Sequence, residues 1–233
     1  MKKYGSVFML YNRMILYRVL LVFAGMGILE VLFLVSACQR QKNYCYAVEA
    51  GGVEKVFFLF LLLLTAIFCT LGCTGRGEQR YSLWRLRISE WGLFWCRLFV
   101  SLLYYFLFWT FQVGICYGMG LYFMHVKGMD SPQSTVIAFY ADNFLHRLFP
   151  LEAYHIWAWN FVLILGLLIV SAAFSFYWQR RKFYYPIILF FFLAFLLWDC
   201  DHVWDMLAGA VVMLALCVLT LRSVWKRSDI RED

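Results

Sequence analysis

The densest group of side chains able to do chemistry lies near the C-terminal end of the chain. Asp199, Cys200, Asp201, His202 and Asp205 stand there within seven residues. Carboxylates and imidazoles are ligands for zinc or manganese, so a metal site is one interpretation. The other is that these charges solvate a hairpin tip between two apolar runs. Because the spacing does not build a closed ligand set, we favour the hairpin tip and assign no metal ligand.

A membrane-embedded enzyme needs acids, bases or a nucleophile that face a wet cavity inside the helix bundle. Glu30 is the only acidic residue near the interior of an apolar run. Arg97 lies near the end of another run, from which its side chain can snorkel to the membrane surface. We therefore interpret Glu30 as an outer-leaflet anchor or a helix contact, and we expect no catalytic residue.

The eight cysteines divide by position, and Cys73 lies near the cytoplasmic end of the second run, where disulfides rarely persist. Four of them lie inside apolar runs and are typical of small packing residues: Cys69, Cys96, Cys116 and Cys217. Cys38 and Cys45 share a short polar segment and could pair with each other or with Cys200. Such a disulfide needs an oxidising exterior, so the sequence leaves these pairings open.

A mostly apolar chain must position these residues. Hydrophobic residues make up 64% of the 233 and charged residues only 15%, a balance that one soluble core could not bury. A helix of about 20 apolar residues crosses the hydrocarbon core of a bilayer. Runs of that kind predict one all-α polytopic membrane domain over residues 1–233, with six spans at 14–37, 53–73, 91–125, 156–178, 184–200 and 203–221.

The spans differ in length. The third is longer than a bilayer needs, so we expect it to tilt, kink or project, with Gly114, Gly118 and Gly120 as a natural place for a kink. The fifth is short, and only a few residues separate it from the sixth. Gly114 and Gly118 also form a G-x-x-x-G pattern, which favours close helix packing within the bundle or between protomers.

The basic residues predict the topology. Outside the spans and at their ends, 15 basic residues fall on one side of the membrane and 5 on the other. The positive-inside rule places the side with more basic residues in the cytoplasm. We therefore predict a multi-pass protein of the cell membrane with both termini cytoplasmic. The formal net charge of +7 then reports topology rather than a nucleic-acid partner. The first apolar run is longer than a signal peptide needs, so we expect a retained helix.

Two cytoplasmic segments are predicted to be amphipathic. Tyr4, Val7, Phe8 and Tyr11 recur at helical spacing, which predicts an interfacial N-terminal helix; the alternative is a disordered basic tail. The segment 74–90 is predicted to form a second short helix with one apolar face and one basic face. The apolar face is Tyr81, Trp84, Ile88, Trp91 and Trp95, and the basic face is Arg76, Arg80 and Arg87. Ser89 is a candidate N-cap for the third span, with Glu90 favourable at a helix start.

The N-terminal interfacial helix, the six spans and the amphipathic segment that Glu78 and Arg80 introduce together resemble the permease subunits of type-2 ABC exporters. In that family the helix between spans two and three fits into a cleft of the ATPase. The resemblance implies a second permease subunit, as a homo- or heterodimer, and ATP and magnesium bound to a partner ATPase. The coupling positions that it implies are Glu78, Gln79, Arg80, Ser82, Arg85 and Arg87. The short connection between spans five and six departs from the family, which often has a re-entrant element there.

The glycine-rich stretch 72–77 lacks the lysine and the following helix that a phosphate-binding loop needs. If ATP drives this protein, the ATPase is therefore another chain. The alternative to a permease is a membrane anchor or assembly subunit that does not transport and whose cytoplasmic loop only binds another protein. A membrane enzyme comes third.

Overall fold

The computed structural model describes residues 2–70, 89–128, 136–137, 141–150, 154–179, 184–196 and 203–229. Within these ranges the regular structure is helical throughout and no strand occurs. The helices are α1 (Lys2–Arg40), α2 (Tyr44–Ala50), α3 (Val53–Cys69), α4 (Glu90–Lys127), α5 (Asn143–Leu148), α6 (Tyr154–Gln179), α7 (Pro186–Leu196) and α8 (Val203–Asp229).

Four helices among the described residues are long and apolar enough to cross a bilayer: α1, α4, α6 and α8. The pair α2 and α3 meets the same criteria as one span bent by 50°, which makes up to five. Gly52 lies at this bend with φ 60°, a conformation that glycine adopts without steric cost. The all-helical membrane fold predicted from the sequence is confirmed at this level.

The prediction of six spans is not confirmed. α7, the described part of the predicted fifth span, has 11 residues and is about 17 Å long at 1.5 Å per residue, against a hydrocarbon core of about 30 Å. The predicted second span corresponds to α3, whose 17 residues join α2 at the bend. The third span is overlong as predicted, since α4 runs for 38 residues without interruption through its glycines.

The predicted boundary between an N-terminal interfacial helix and the first span is wrong. Residues 2–40 form one continuous helix of 39 residues, because nothing between residues 4 and 14 breaks the backbone hydrogen-bond ladder. Val7 and Tyr11 were expected to face the membrane interface, yet both are completely buried. Tyr4 of the same predicted face is 49% exposed, so only the part of that face at Val7 and Tyr11 packs against protein.

The contacts divide the chain into two compact units. The Arg97 unit comprises Met1–Tyr17, Thr65–Tyr104 and Ala158–Asp233, and the Glu30 unit comprises Arg18–Leu64 and Tyr105–Trp157. Each unit has its own buried apolar core and its own buried polar side chains.

In the Arg97 unit, α4 begins at the predicted cap. The backbone N–H of Gly92 donates to Ser89 Oγ at 3.2 Å, which satisfies one of the N–H groups that a helix start leaves open. The small face of α6 that includes Ser171, Ala172 and Ala173 is buried. Nearby on α6, Gly166 packs so closely on α7 that a Cβ there would lie 2.1 Å from Phe190 Cζ. Glycine at 166 therefore lets a buried phenylalanine approach the α6 backbone.

In the Glu30 unit, the apolar core is aromatic. Phe57 of α3 lies with its ring centroid 5.4 Å from that of Phe108 and 5.6 Å from that of Phe144, within the range of favourable aromatic pairs. Trp109 of α4 donates its indole N–H to the carbonyl oxygen of Leu148 at 2.9 Å. These contacts hold the short helix α5 against α3 and α4.

Asp142 starts α5 as its N-cap. Its carboxylate accepts the backbone N–H of Leu145 at 2.8 Å. Burial raises the pKa of Asp142 above its usual value, while hydrogen bonds from the backbone N–H groups of Leu145 and Phe144 act to lower it. The dominant contribution is therefore the loss of water around the carboxylate.

Candidate functional site

A buried carboxylate is the first feature of a candidate site in the Glu30 unit. Glu30 lies on α1 and its side chain is completely buried. Neither of its carboxylate oxygens meets a hydrogen-bond donor among the described residues. Burying a carboxyl group without partners is costly, and ionisable residues inside membrane-spanning helices mark functional sites by default. This burial contradicts the predicted role of Glu30 as an outer-leaflet anchor, and the neighbouring Gln112 on α4 supports the alternative of a helix contact.

The polar neighbour of Glu30 is Gln112 of α4, which is also completely buried. Its amide oxygen has no hydrogen-bond partner in the described part of the chain, and its amide nitrogen donates to the Cys116 sulfur at 3.5 Å. The Tyr44 hydroxyl of α2 donates to the Cys116 carbonyl oxygen at 2.6 Å. Three helices thus converge on one polar cluster, which we call the Glu30 cluster (Glu30, Tyr44, Gln112 and Cys116).

The Arg97 unit has a polar cluster of its own. Arg97 of α4 is only 3% exposed, so it does not snorkel to the surface as the sequence suggested. Its Nε donates to the Tyr11 hydroxyl oxygen at 3.1 Å, and its Nη1 donates to Ser175 Oγ at 3.3 Å. The guanidinium carbon also lies 5.4 Å from the centroid of the Tyr11 ring. These interactions define the Arg97 cluster (Tyr11, Arg97 and Ser175), which joins α1, α4 and α6.

The physical reason for this burial is the chemistry of the guanidinium group. Arginine stays charged in proteins and offers five donors in a rigid plane. An aromatic face within about 6 Å of a cation attracts it, and Tyr11 supplies both such a face and an acceptor. A charged group held this way in the interior of membrane-spanning helices favours a function that involves polar or ionic species.

A second set of hydroxyl contacts joins the C-terminal helices of the Arg97 unit. The rings of Tyr177 and Tyr184 stack with centroids 4.7 Å apart. Thr220 Oγ1 of α8 donates to the Leu216 carbonyl oxygen at 2.7 Å, which uses its single hydrogen. The Tyr184 hydroxyl, 2.6 Å from Thr220 Oγ1, is therefore the donor in that pair. Tyr177 bonds to Ser223 in the same region, so hydroxyl contacts connect α6, the residue two positions before α7, and α8.

Most of the site residues predicted from the sequence fall outside the described residues. This is true of the six coupling positions, Glu78, Gln79, Arg80, Ser82, Arg85 and Arg87, and of the polar cluster from Asp199 to His202. Among the described residues, no group of three or more metal-ligating side chains comes together. Cys38 is a buried thiol that the structure leaves unbridged, so no disulfide joins it to Cys45.

The glycine pair on α4 lies on an open face. A Cβ built at Gly114 or Gly118 meets no atom within 4 Å, and both positions are exposed. Hence no described part of the chain packs on this pair. Packing between two protomers, the other interpretation of the motif, stays a prediction.

Sequence reasoning missed Tyr44 and Gln112 as members of the Glu30 cluster, and Tyr11 and Ser175 as members of the Arg97 cluster. Gln112 did give a signal, because it is a lone amide within a long apolar run.

Comparisons of the chain with models of known protein families, with curated proteins and with solved structures found no match.

Proposed function

We propose that this chain is the permease subunit of an ATP-driven exporter in the cell membrane. In this proposal both termini are cytoplasmic, and the chain forms a homo- or heterodimer with a second permease subunit. Its helices line the substrate path, while a separate ATPase chain binds ATP and magnesium. The segment 76–90 is the docking site for that ATPase.

The observation that carries the transport part of this proposal is the burial of polar side chains inside membrane-spanning helices. Glu30 and Gln112 are completely buried, and Arg97 is nearly so. A helix that only anchors a protein in lipid has no need for such groups, and burying them is costly. Pathways for polar or ionic species do need them.

The start of α4 supports the proposed coupling. Ser89 caps this helix directly after the basic segment that contains Arg80 and Arg87. The cap bonds Ser89 itself to the first turn of α4. In the proposal, a push on the segment 76–88 is passed through Ser89 to α4, which also carries Arg97.

Purification of the tagged full-length chain from its native cells in mild detergent tests the proposal. We expect an ATPase subunit with a phosphate-binding loop to co-purify. Charge reversal with Glu78→Arg and Arg80→Glu should release this subunit or abolish stimulation of its ATP hydrolysis, while the membrane subunit stays monodisperse. A Lys42→Glu variant, which changes a charge in another polar segment, serves as the control and should retain the partner.

Recovery of the chain without any nucleotide-binding subunit would refute an ATP-driven permease. Retention of full ATPase stimulation by the charge-reversed variant would refute the docking site at 76–90. These two results are independent, because the partner could bind elsewhere on the chain.

The rival candidate is a membrane anchor or assembly subunit that does not transport. The count of four candidate spans, or five with the bent pair, favours it, because the permease family has six.

Arg97→Gln separates the two candidates. In a permease this change should reduce ATP hydrolysis by the intact complex, since it alters the interior of the bundle. In an anchor the complex and its activity should remain as they were, provided that the variant elutes as a folded species.

A further inference from the structure

Three buried acceptor atoms belong to neighbouring side chains of α1 and α4, which pack together where Phe111 approaches Gly27. They are the two carboxylate oxygens of Glu30 and the amide oxygen of Gln112, and none has a donor among the described residues. Both side chains are completely buried. A group of buried acceptors without donors is unstable because each oxygen loses its hydrogen bonds to water.

The donors nearby are already assigned. Tyr44 uses its hydroxyl hydrogen on the Cys116 carbonyl oxygen. The amide nitrogen of Gln112 has two hydrogens, and one of them points to the Cys116 sulfur. Within the described ranges, one amide hydrogen of Gln112 therefore remains for the two carboxylate oxygens of Glu30, and the amide oxygen of Gln112, which its own N–H cannot reach, stays without a donor.

The charged groups around Glu30 do not compensate for an ionised carboxylate. The groups that interact with it are Tyr44 of α2 and Cys116 and Gln112 of α4, and the Gln112 amide lies near the carboxylate without a hydrogen bond of good geometry. Asp142, next to α5, acts on Tyr44 and Cys116 and is itself acidic. Within the described ranges no lysine, arginine or histidine pairs with Glu30. An ionised Glu30 would thus be a buried charge without a counter-ion, a state that proteins avoid by neutralising the group.

One proton added to Glu30 supplies the hydrogen-bond donor that this cluster lacks. A protonated Glu30 has an O–H group that can donate to the Gln112 amide oxygen. The remaining Gln112 N–H can then donate to the other oxygen of Glu30, which closes a cyclic acid–amide pair. The Gln112 amide oxygen and one oxygen of Glu30 then each accept a hydrogen bond, the other Glu30 oxygen becomes the donor, and no charge is left at this site.

We infer that Glu30 and Gln112 form a proton-binding site within the membrane-spanning helices, and that Glu30 carries the proton in this conformation. This inference goes beyond the proposed function and does not depend on an ATPase partner. A metal cation is the less suitable ligand, because it requires more oxygen ligands than these three. Release of the proton would place a bare carboxylate between α1 and α4, so proton binding is coupled to the contact between these two helices.

Infrared spectroscopy of the purified full-length protein tests the site directly. The detergent should be a maltoside, because it has no ester carbonyl to hide the band of a protonated carboxyl group. At pH 7 the spectrum of the wild-type protein minus that of Glu30→Gln should contain one carboxylic-acid carbonyl band. Glu49→Gln is the matched control, since Glu49 is exposed on α2 in the same unit; it should change only the carboxylate bands.

A difference spectrum in which Glu30→Gln removes carboxylate bands alone would overturn the inference. So would a wild-type protein whose acid band is lost when sodium is added, because the site would then hold a metal cation. If Glu30→Gln does not fold, the wild-type protein and Gln112→Leu still decide the question. The acid band of the wild-type protein should convert to carboxylate at alkaline pH. In Gln112→Leu the acid band should shift, because the acid loses its amide partner; an unshifted band would contradict the acid–amide pair.

The dependence of stability on pH gives a second readout. A protonated Glu30 stabilises the folded state only while it keeps its proton, so the apparent Tm of the wild-type protein should fall as the pH rises. Glu30→Gln should show a flatter dependence, because glutamine is neutral at every pH. Parallel pH profiles of the two proteins would contradict the site.

Discussion

Removal of one hydroxyl group tests the Arg97 cluster. Tyr11→Phe deletes the oxygen that accepts from Arg97 Nε at 3.1 Å but keeps the ring that faces the guanidinium carbon at 5.4 Å. Tyr11 is completely buried, so water does not replace the lost acceptor. Phenylalanine fills almost the same volume, and no cavity forms. The variant therefore isolates one hydrogen bond to a buried charge.

The expected cost follows from the type of bond. A hydrogen bond to a charged group contributes about 1.5–3 kcal/mol to the free energy of unfolding. For a protein of this length each kcal/mol changes Tm by about 2–4 °C, so Tyr11→Phe should lower Tm by about 3–12 °C. Tyr11→Leu also removes the cation–π interaction, which adds up to about 2 kcal/mol for a desolvated pair. We expect the order wild type, Tyr11→Phe, Tyr11→Leu, from most to least stable.

Thermal unfolding of the detergent-purified protein, followed by intrinsic tryptophan fluorescence, measures this order. Tyr17→Phe is the matched control, because Tyr17 lies on the same helix in the same unit but is 72% exposed. Its Tm should stay within about 1–2 °C of the wild type, as surface substitutions usually change stability by less than about 0.5 kcal/mol. If Tyr11→Phe unfolds at the same temperature as Tyr17→Phe, the hydroxyl does not stabilise the buried arginine, and the reasoning fails.

Two further predictions concern packing and capping. Gly166→Ala would place a Cβ 2.1 Å from Phe190 Cζ, and overpacking of this kind costs about 1–3 kcal/mol; Gly114→Ala, on an open face, should be neutral or stabilising because alanine favours helix. Equal Tm values for these two variants would contradict the close approach of α6 and α7. Asp142→Ala should lose about 1 kcal/mol with the cap on α5, whereas Asp142→Asn keeps the cap. Burial raises the pKa of Asp142, so its ionised form is disfavoured in the folded state; the stability of the wild-type protein relative to Asp142→Asn should therefore decline as the pH rises above about 4. Denaturant or thermal unfolding at pH 4 and pH 8 measures this difference, and a relative stability that increases with pH would be the opposite result.

Several elements were predictable because local rules decide them. The composition requires membrane helices, since 64% hydrophobic residues cannot be hidden in a soluble core of this length. The start of α4 at Ser89 follows from cap chemistry, which involves residues three positions apart. The overlong third helix follows from the length of its apolar run. In each case the interactions lie within a few residues along the chain.

Predictions that needed distant partners failed or stayed open. Helical spacing correctly placed Val7 and Tyr11 on one face, but periodicity does not reveal whether that face meets lipid or protein. Arg97 looked able to snorkel, because the two acceptors that hold it inside stand 86 and 78 residues away. Gly114 and Gly118 have the spacing of a helix-packing motif, but the motif does not specify which helix packs on it.

The sequence alone therefore determined that the chain is a helical membrane protein, and approximately where its long apolar helices lie, because hydrophobicity and helix caps act locally. Only the tertiary structure decided which polar side chains meet in the interior. Glu30 and Gln112 belong to different helices, and no short-range pattern connects residues that far apart. Their contact arises from the packing of α1 on α4, and packing also removes the water that would otherwise solvate them. That combination of contact and burial turns one glutamate among many into the candidate proton site of this protein.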